Sequence, residues 1–155
     1  MLYQEGINLP VVPRPEVPMA SRIRTVDYYY LSVPGDPGEA TEVLASLAER
    51  GINLVAFAAI PMGPYRTQLT IFPDESPQLE DEASASGLRL DGPHPALLVQ
   101  GDDELGALAA VHRRLSEADI PVFSSSGVTD GRGGFGYVLY IRPDSVARAQ
   151  AALGM

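Results

Sequence analysis

The stretch Asp36-Pro37-Gly38 joins an apolar run ending at Val33 to a helical pattern that stops at Gly51. A glycine at a helix start leaves backbone N–H groups free at the positive end of the helix dipole, with no side chain to block an approaching group. Such a place suits the carboxylate of a small molecule. Asp36 or Asn53 would then take an ammonium group. Capping and turn geometry alone account for Asp36, Pro37 and Gly51 just as well.

Other residues with chemical potential are harder to assemble. Ser124, Ser125 and Ser126 offer hydroxyls and His112 a base, but no G-x-S-x-G elbow accompanies them. His94 lies between prolines and reads as part of a linker. Gly131-Arg132-Gly133-Gly134-Phe135-Gly136 has the form G-x-G-x-x-G, yet a strand pattern follows it where a dinucleotide fingerprint needs a helix. It reads as a hairpin tip. Glu75, Glu80, Asp81 and Glu82 lack the turn glycine of a calcium loop and read as a solvated helix face. No catalytic residue, metal site or cofactor is therefore expected.

Composition narrows the classes further. Eleven basic and 20 acidic residues give a net charge of −9, which argues against nucleic acid and against anionic membranes. The absence of cysteine excludes disulfides and thiol chemistry. The N-terminus shows no signal-peptide pattern and no apolar run is long enough to span a bilayer, so the expected location is the cytoplasm.

The elements that must position these residues follow from periodicity. Residues 1–24, with Pro10, Pro13, Pro15 and Pro18, read as an arm. Its apolar residues Ile7 to Val12 are expected to dock on an open sheet edge. Val26–Val33 alternates as a strand, with Tyr29, Leu31 and Val33 on one face and Tyr28 and Tyr30 on the other. Asp36 is the expected N-cap of a helix with Pro37 at its first position, Glu39 completing a capping box, and Ala40, Val43, Leu44, Leu47 and Ala48 as its apolar stripe. Strands over Ile52–Ile60 and Tyr65–Phe72, a weaker helix to Ser86, and a short strand at Leu88–Leu90 complete a βαββαβ unit. In Ile52–Ile60, Leu54 and Ala56 are expected on one face, with Val55 and Phe57 on the other.

The pattern then returns. A strand at Ala96–Gly101 leads to a helix within 103–117, a strand beginning at Ile120-Pro121-Val122, another over Gly136–Ile141, and a last helix capped by Asp144. A shift of 68 residues sets Gly38 over Gly106, Leu47 over Leu115 and Ile52 over Ile120; a shift of 70 sets Ile71 over Ile141 and Asp74 over Asp144. The second copy ends without a fourth strand. The expected fold is α+β: tandem ferredoxin-like modules, 25–92 and 93–155, with antiparallel sheets and helices on one face.

Asp36-Pro37-Gly38, a helix carrying Val43 and Leu47, and then Gly51-Ile52-Asn53-Leu54 in a βαββαβ frame resemble the ACT domain. The resemblance covers roughly 25–155 as a tandem pair. It implies a non-catalytic regulatory module that binds an amino acid at an interface between modules, through Asp36, Pro37, Gly38, Ile52 and Asn53. In the second copy the counterparts are Gly106 and Ile120, but Leu105 replaces the proline and Asp119-Ile120-Pro121 replaces Gly-Ile-Asn, which puts that site in doubt. The resemblance also implies a free-standing sensor or a regulatory subunit of a separate metabolic enzyme. A homodimer is expected from the apolar sheet face of Tyr28, Tyr30, Val55, Phe57 and Ala59. Two alternatives share the fold: a small monooxygenase-like or acyl-phosphate-cleaving enzyme, marked by Arg66 facing a tyrosine-lined cavity, and a dimerisation module without ligand.

Overall fold

A computed structural model describes residues 22–155. The proline-rich segment before Arg22, and with it the docking expected of Ile7–Val12, lies outside the described residues. Strand β1 spans Arg22–Pro34, α1 Glu39–Glu49, β2 Leu54–Pro61, β3 Arg66–Pro73, α2 Ser76–Ser86 and β4 Asp91–Asp102. They are followed by α3 Ala107–Glu117, β5 Ser124–Thr129, β6 Gly134–Tyr140, a 3-10 turn at Pro143–Ser145, and α4 Val146–Leu153. The order βαββα therefore occurs twice. All six strands form one antiparallel sheet, β2-β3-β1-β4-β6-β5.

The two long central strands hold the halves together. β1 pairs with β3 through its C-terminal half and with β4 along most of its length. β4 thus takes the fourth-strand position of the first unit, and the N-terminal half of β1 takes it in the second. This corrects two expectations. Leu88–Leu90 forms no strand; Leu88 and Leu90 pack as loop residues on the first core. The edge beside β4 is not open, because Arg22–Tyr28 occupies it.

Alternation along β1 sorts the core into layers. Tyr29, Leu31 and Val33 join Leu47 of α1 and Leu79 of α2 in one cluster. Ile23, further along the same face, packs on a second cluster that holds Val111 and Leu115 of α3 and Ala149 and Leu153 of α4. All four α-helices among the described residues therefore cover one face. Val26, Tyr28 and Tyr30 point to the other, with Phe72, Ala96, Leu98, Val138 and Tyr140. A bulge between Leu54 and Ala56 breaks the regular phase expected of β2. Leu54 stays with the helix-side core while Val55 and Ala56 both pack on the helix-free cluster.

The helix-free face is nevertheless shielded at its centre, where Leu98 is only 3% exposed. Val55, Ala56 and Phe57 of β2 line the same cavity as Ser126, Gly127 and Val128 of β5, although these are the outermost strands. In a flat sheet they would stand roughly 24 Å apart. The sheet is curled into a trough. Of the apolar face expected to drive dimerisation, Tyr28 is buried and Tyr30 and Val55 are half-buried within one chain, while Phe57 and Ala59 stay exposed.

Candidate functional site

The β1–α1 loop is held from below. Gly35 donates its N–H to the Tyr65 carbonyl at 2.9 Å, and Arg66 Nε donates to Ser32 Oγ at 2.9 Å. Any Cβ on Gly35 would press the Tyr65 backbone at 3.1 Å. The helix does not start as a capping box. Gly38, at φ +99°, is its N-cap, and no side chain caps it. The left-handed turn suits glycine and bends the chain so that the Gly38 carbonyl accepts the Glu42 N–H at 2.8 Å. Glu39 N–H reaches the Asp36 carbonyl at 3.3 Å, while Ala40 and Thr41 N–H find no backbone acceptor among the described residues. Those two donors, at the positive end of the helix, are flanked by the exposed Asp36 and Pro37.

The second unit repeats this geometry. Gly106, at φ +86°, is the N-cap of α3, and its carbonyl accepts from Ala110 at 3.0 Å. Ile52 and Ile120 are 5% and 4% exposed and donate to the Leu47 and Leu115 carbonyls, each at 2.9 Å. Both isoleucine side chains belong to the core, so they anchor the chain and leave only backbone to a ligand. Gly51, at φ +70°, is matched by Asp119, at φ +54°. Asp144 does not cap α4; it lies in the 3-10 turn and accepts from Ser145 Oγ at 3.2 Å.

The predicted residues do not all meet. Asp36–Gly38 precede α1 and Asn53 follows it, so a helix about 16 Å long separates them. Asn53 is exposed, and its carbonyl accepts the Asp74 N–H at 2.9 Å. What does lie against the loop is Tyr65, through the Gly35 bond, in an exposed apolar stretch of chain. Ile60 is 51%, Met62 55% and Tyr65 82% exposed on the end of β2 and the turn into β3.

Other polar groups have structural partners. Glu80 accepts from the Tyr29 hydroxyl, and Glu82 pairs with Arg50 at 2.6 Å, so the α2 acids are not merely a solvated face. Burial, then the hydrogen bond to Glu80, pushes the Tyr29 hydroxyl up to about 12. His112 meets the Tyr137 hydroxyl, which donates to Ser125 Oγ at 2.9 Å. The G-x-G-x-x-G run is the β5–β6 hairpin tip, clamped by Asp130, whose carboxylate accepts from Arg132 N–H at 2.7 Å and Gly134 N–H at 3.0 Å. These backbone donors hold the Asp130 carboxyl below its usual range.

Sequence reasoning missed the helix-free aromatic cluster as a place with a cavity. His94 is not in a linker but in β4, where its ring lies 5.3 Å from Tyr28 and 5.5 Å from Tyr30. The cavity beside it, of about 590 Å³, is lined by Tyr28, His94, Phe123 and Arg142 with Ile141 and three prolines. The arginine facing a tyrosine-lined cavity is thus Arg142; Arg66 is engaged with Ser32 at the other end of β1.

No family model matches the sequence. No curated protein matches it either. Solved structures do share its architecture. Protein BT0572 from Bacteroides thetaiotaomicron superposes with a TM-score of 0.69 at 17% identity, over 86% of this chain and 88% of that one. The ligand-free regulatory subunit of aspartate kinase from Thermus thermophilus gives 0.60 at 15% identity, over 90% and 97%. The corresponding subunit from Thermus flavus gives 0.55 at 16%, over 87% and 95%. The fold is therefore an ACT-like, ferredoxin-like α+β fold. No helix among the described residues is long and apolar enough to cross a membrane.

Proposed function

We propose that this chain is a regulatory module that binds an amino acid or related small carboxylate and performs no chemistry on it. The observation that carries this reading is the α1 N-terminus, where two backbone N–H groups have no acceptor among the described residues and the preceding loop is bonded to exposed Tyr65, with exposed Ile60 and Met62 nearby in the chain at the end of β2. Free donors suit a carboxylate, and an exposed apolar patch suits a partner surface. The ligand sits where a second copy covers this patch, and Asn53 reaches it from that copy, since its own helix holds it away. The assembly is then a homodimer whose site is incomplete in one chain. The aspartate kinase regulatory subunits, similar in fold along nearly their whole length, support a role beside a separate metabolic enzyme, in the cytoplasm. Gly106 and Ile120 form a second, equivalent start in which Pro121 replaces Asn53; it lacks the amide and is the weaker site.

A thermal-shift screen of the amino acids tests the reading. Binding to the folded state alone stabilises by RT ln(1 + [L]/Kd), about 2.7 kcal/mol at a hundredfold excess over Kd. One or a few amino acids are expected to raise the melting temperature, and Asn53→Ala to reduce that rise. Melting curves unmoved by every amino acid would contradict it.

A further inference from the structure

The two units differ most informatively on the helix-free face. A shift of 70 residues superposes β3 on β6: Leu69 and Leu139 are both 0% exposed, and Ile71 and Ile141 both 1%. The next residue in the first unit is Phe72, 1% exposed, whose ring packs 5.3 Å from Tyr28 and 5.9 Å from Tyr140. The next residue in the second unit is Arg142, which is exposed. Likewise Val55, partly buried, corresponds to Phe123, which is 60% exposed. The first unit fills this corner with a ring. The second leaves a cavity of about 590 Å³ with a cation at its wall, within the range of roughly 300–1,000 Å³ common for small-molecule sites.

The walls are fixed by packing. The Tyr28 ring touches Tyr30, Phe72, His94 and Tyr140, with centroids 5.1–5.3 Å away. Burial, then the neighbouring Tyr30 hydroxyl, raises the Tyr28 pKa, so its hydroxyl stays neutral. His94 lies over Tyr28 because the two pair directly across β1 and β4; just beyond them, at the bulge, Gly92 crosses so closely that a Cβ would lie 2.8 Å from the Tyr28 carbonyl. Asp91, the nearest acid on β4, is held by His94 Nε2 at 3.1 Å. Arg142 makes no side-chain hydrogen bond or ion pair among the described residues. An unpaired guanidinium at the mouth of an aromatic cavity matches a planar anion.

The geometry points to a binding site for a flat ring bearing a single carboxylate, the ring lodged among Tyr28, His94 and Phe123 and the carboxylate paired with Arg142. This site lies on the opposite sheet face from the α1 N-terminus and does not rest on the reading of that loop. Phenylacetate is the probe, titrated calorimetrically into the full chain. Saturable one-to-one binding is expected. Arg142→Gln weakens it by about tenfold or more, as for loss of a charge-assisted contact, and Arg142→Phe, which restores the filling seen in the first unit, abolishes it. Cyclohexylacetate, equal in charge but not flat, binds several-fold more weakly. Asp36→Ala leaves phenylacetate binding unchanged, which separates this site from the loop. Both arginine variants alter an exposed side chain, and unchanged melting curves without probe show that they fold. No saturable binding up to about 10 mM, equal binding by Arg142→Gln, or equal binding of cyclohexylacetate would each overturn the assignment.

Discussion

The first βαββα unit and the second share a skeleton and differ in what they hang on it. The positions that agree are those where backbone or packing leaves no choice. Gly38 and Gly106 both turn the chain at positive φ into a helix, Ile52 and Ile120 both close the core below it, and Leu69 and Leu139 sit fully buried at the same point of their strands. The positions that differ lie where at least one unit is exposed or lines a cavity: Asn53 against Pro121, Val55 against Phe123, and buried Phe72 against exposed Arg142. Common structure demands the first set, whereas the second set is free to give each unit a different surface. The shared sheet adds a constraint, since neither unit keeps four strands without the other's long strand.

The largest expected effect tests that shared sheet. Leu69→Ala and Leu139→Ala remove equivalent, fully buried side chains, and each is expected to cost about 2–5 kcal/mol. Denaturant unfolding should show one cooperative transition for both. Two separable transitions, one per unit, would break the picture of a single sheet. Gly92→Ala comes next. At φ +152° its Cβ would lie 2.8 Å from both the Tyr28 carbonyl and the Tyr29 ring, a clash worth about 1–3 kcal/mol. Gly136→Ala, with nothing within 4 Å of its Cβ, is expected to stay within about 0.5 kcal/mol of wild type. Equal melting temperatures for these two variants would contradict the close crossing of β1 and β4.

A smaller effect separates the units at the end of α1 and α3. Gly51→Ala forces a side chain into the left-handed turn and should cost about 1–2 kcal/mol, measured by urea unfolding. Asp119 already bears that strain at φ +54°, so Asp119→Gly should stabilise, by several tenths of a kcal/mol after the added freedom of the unfolded chain. A loss of stability in Asp119→Gly would mean that the carboxylate does more than occupy the turn. The last effect is a matter of pH. Burial and the hydrogen bond to Glu80 push the Tyr29 hydroxyl up to about 12 from its ordinary value of 10.0. Its contribution is therefore complete below pH 10 and is lost as pH rises from 10 towards 12. Tyr29→Phe should flatten that alkaline decline in melting temperature, and an unchanged decline would place its origin elsewhere.

Much of the fold was legible because period and punctuation agree. Leu47 of α1, Val111 and Leu115 of α3, and the alternation of Tyr28, Tyr29 and Leu31 take their expected places in the structure, but Ala48 and Leu108 are exposed and Leu105, expected on the helix within 103–117, precedes α3. The boundaries failed where side chains mislead. Gly92-Pro93-His94-Pro95 looks like a linker, yet it is strand, because β6 pairing begins only at Ala96 and the prolines face an unpaired side. Arg22–Arg24 looked like the arm, yet it pairs with Leu98–Gln100 and closes the second unit. Pro121 and Val122 continued an apolar run, but pairing starts only at Ser124. The conformation of the β1–α1 loop was readable from Gly38, though not the separation of Asn53 from it, which needs the length of α1. The aromatic cavity was out of reach, because Tyr28, His94, Phe123 and Arg142 converge only through the sheet order. The repeat held the signal: an arginine stands where the first copy has Phe72.

The central claim is that a carboxylate site is completed across two copies of this chain, with Asp36–Gly38 from one and Asn53 from the other. Mixing two defective variants, Asp36→Lys and Asn53→Ala, tests it most directly, using the amino acid identified by the melting screen and calorimetry to count sites. Each variant alone should bind weakly or not at all. After the two are mixed and allowed to exchange, half the dimers pair one of each, and one of their two sites is fully wild type, so about a quarter of the sites should return. No recovery in a mixture shown to contain mixed dimers, or full binding by either variant alone, would contradict the account.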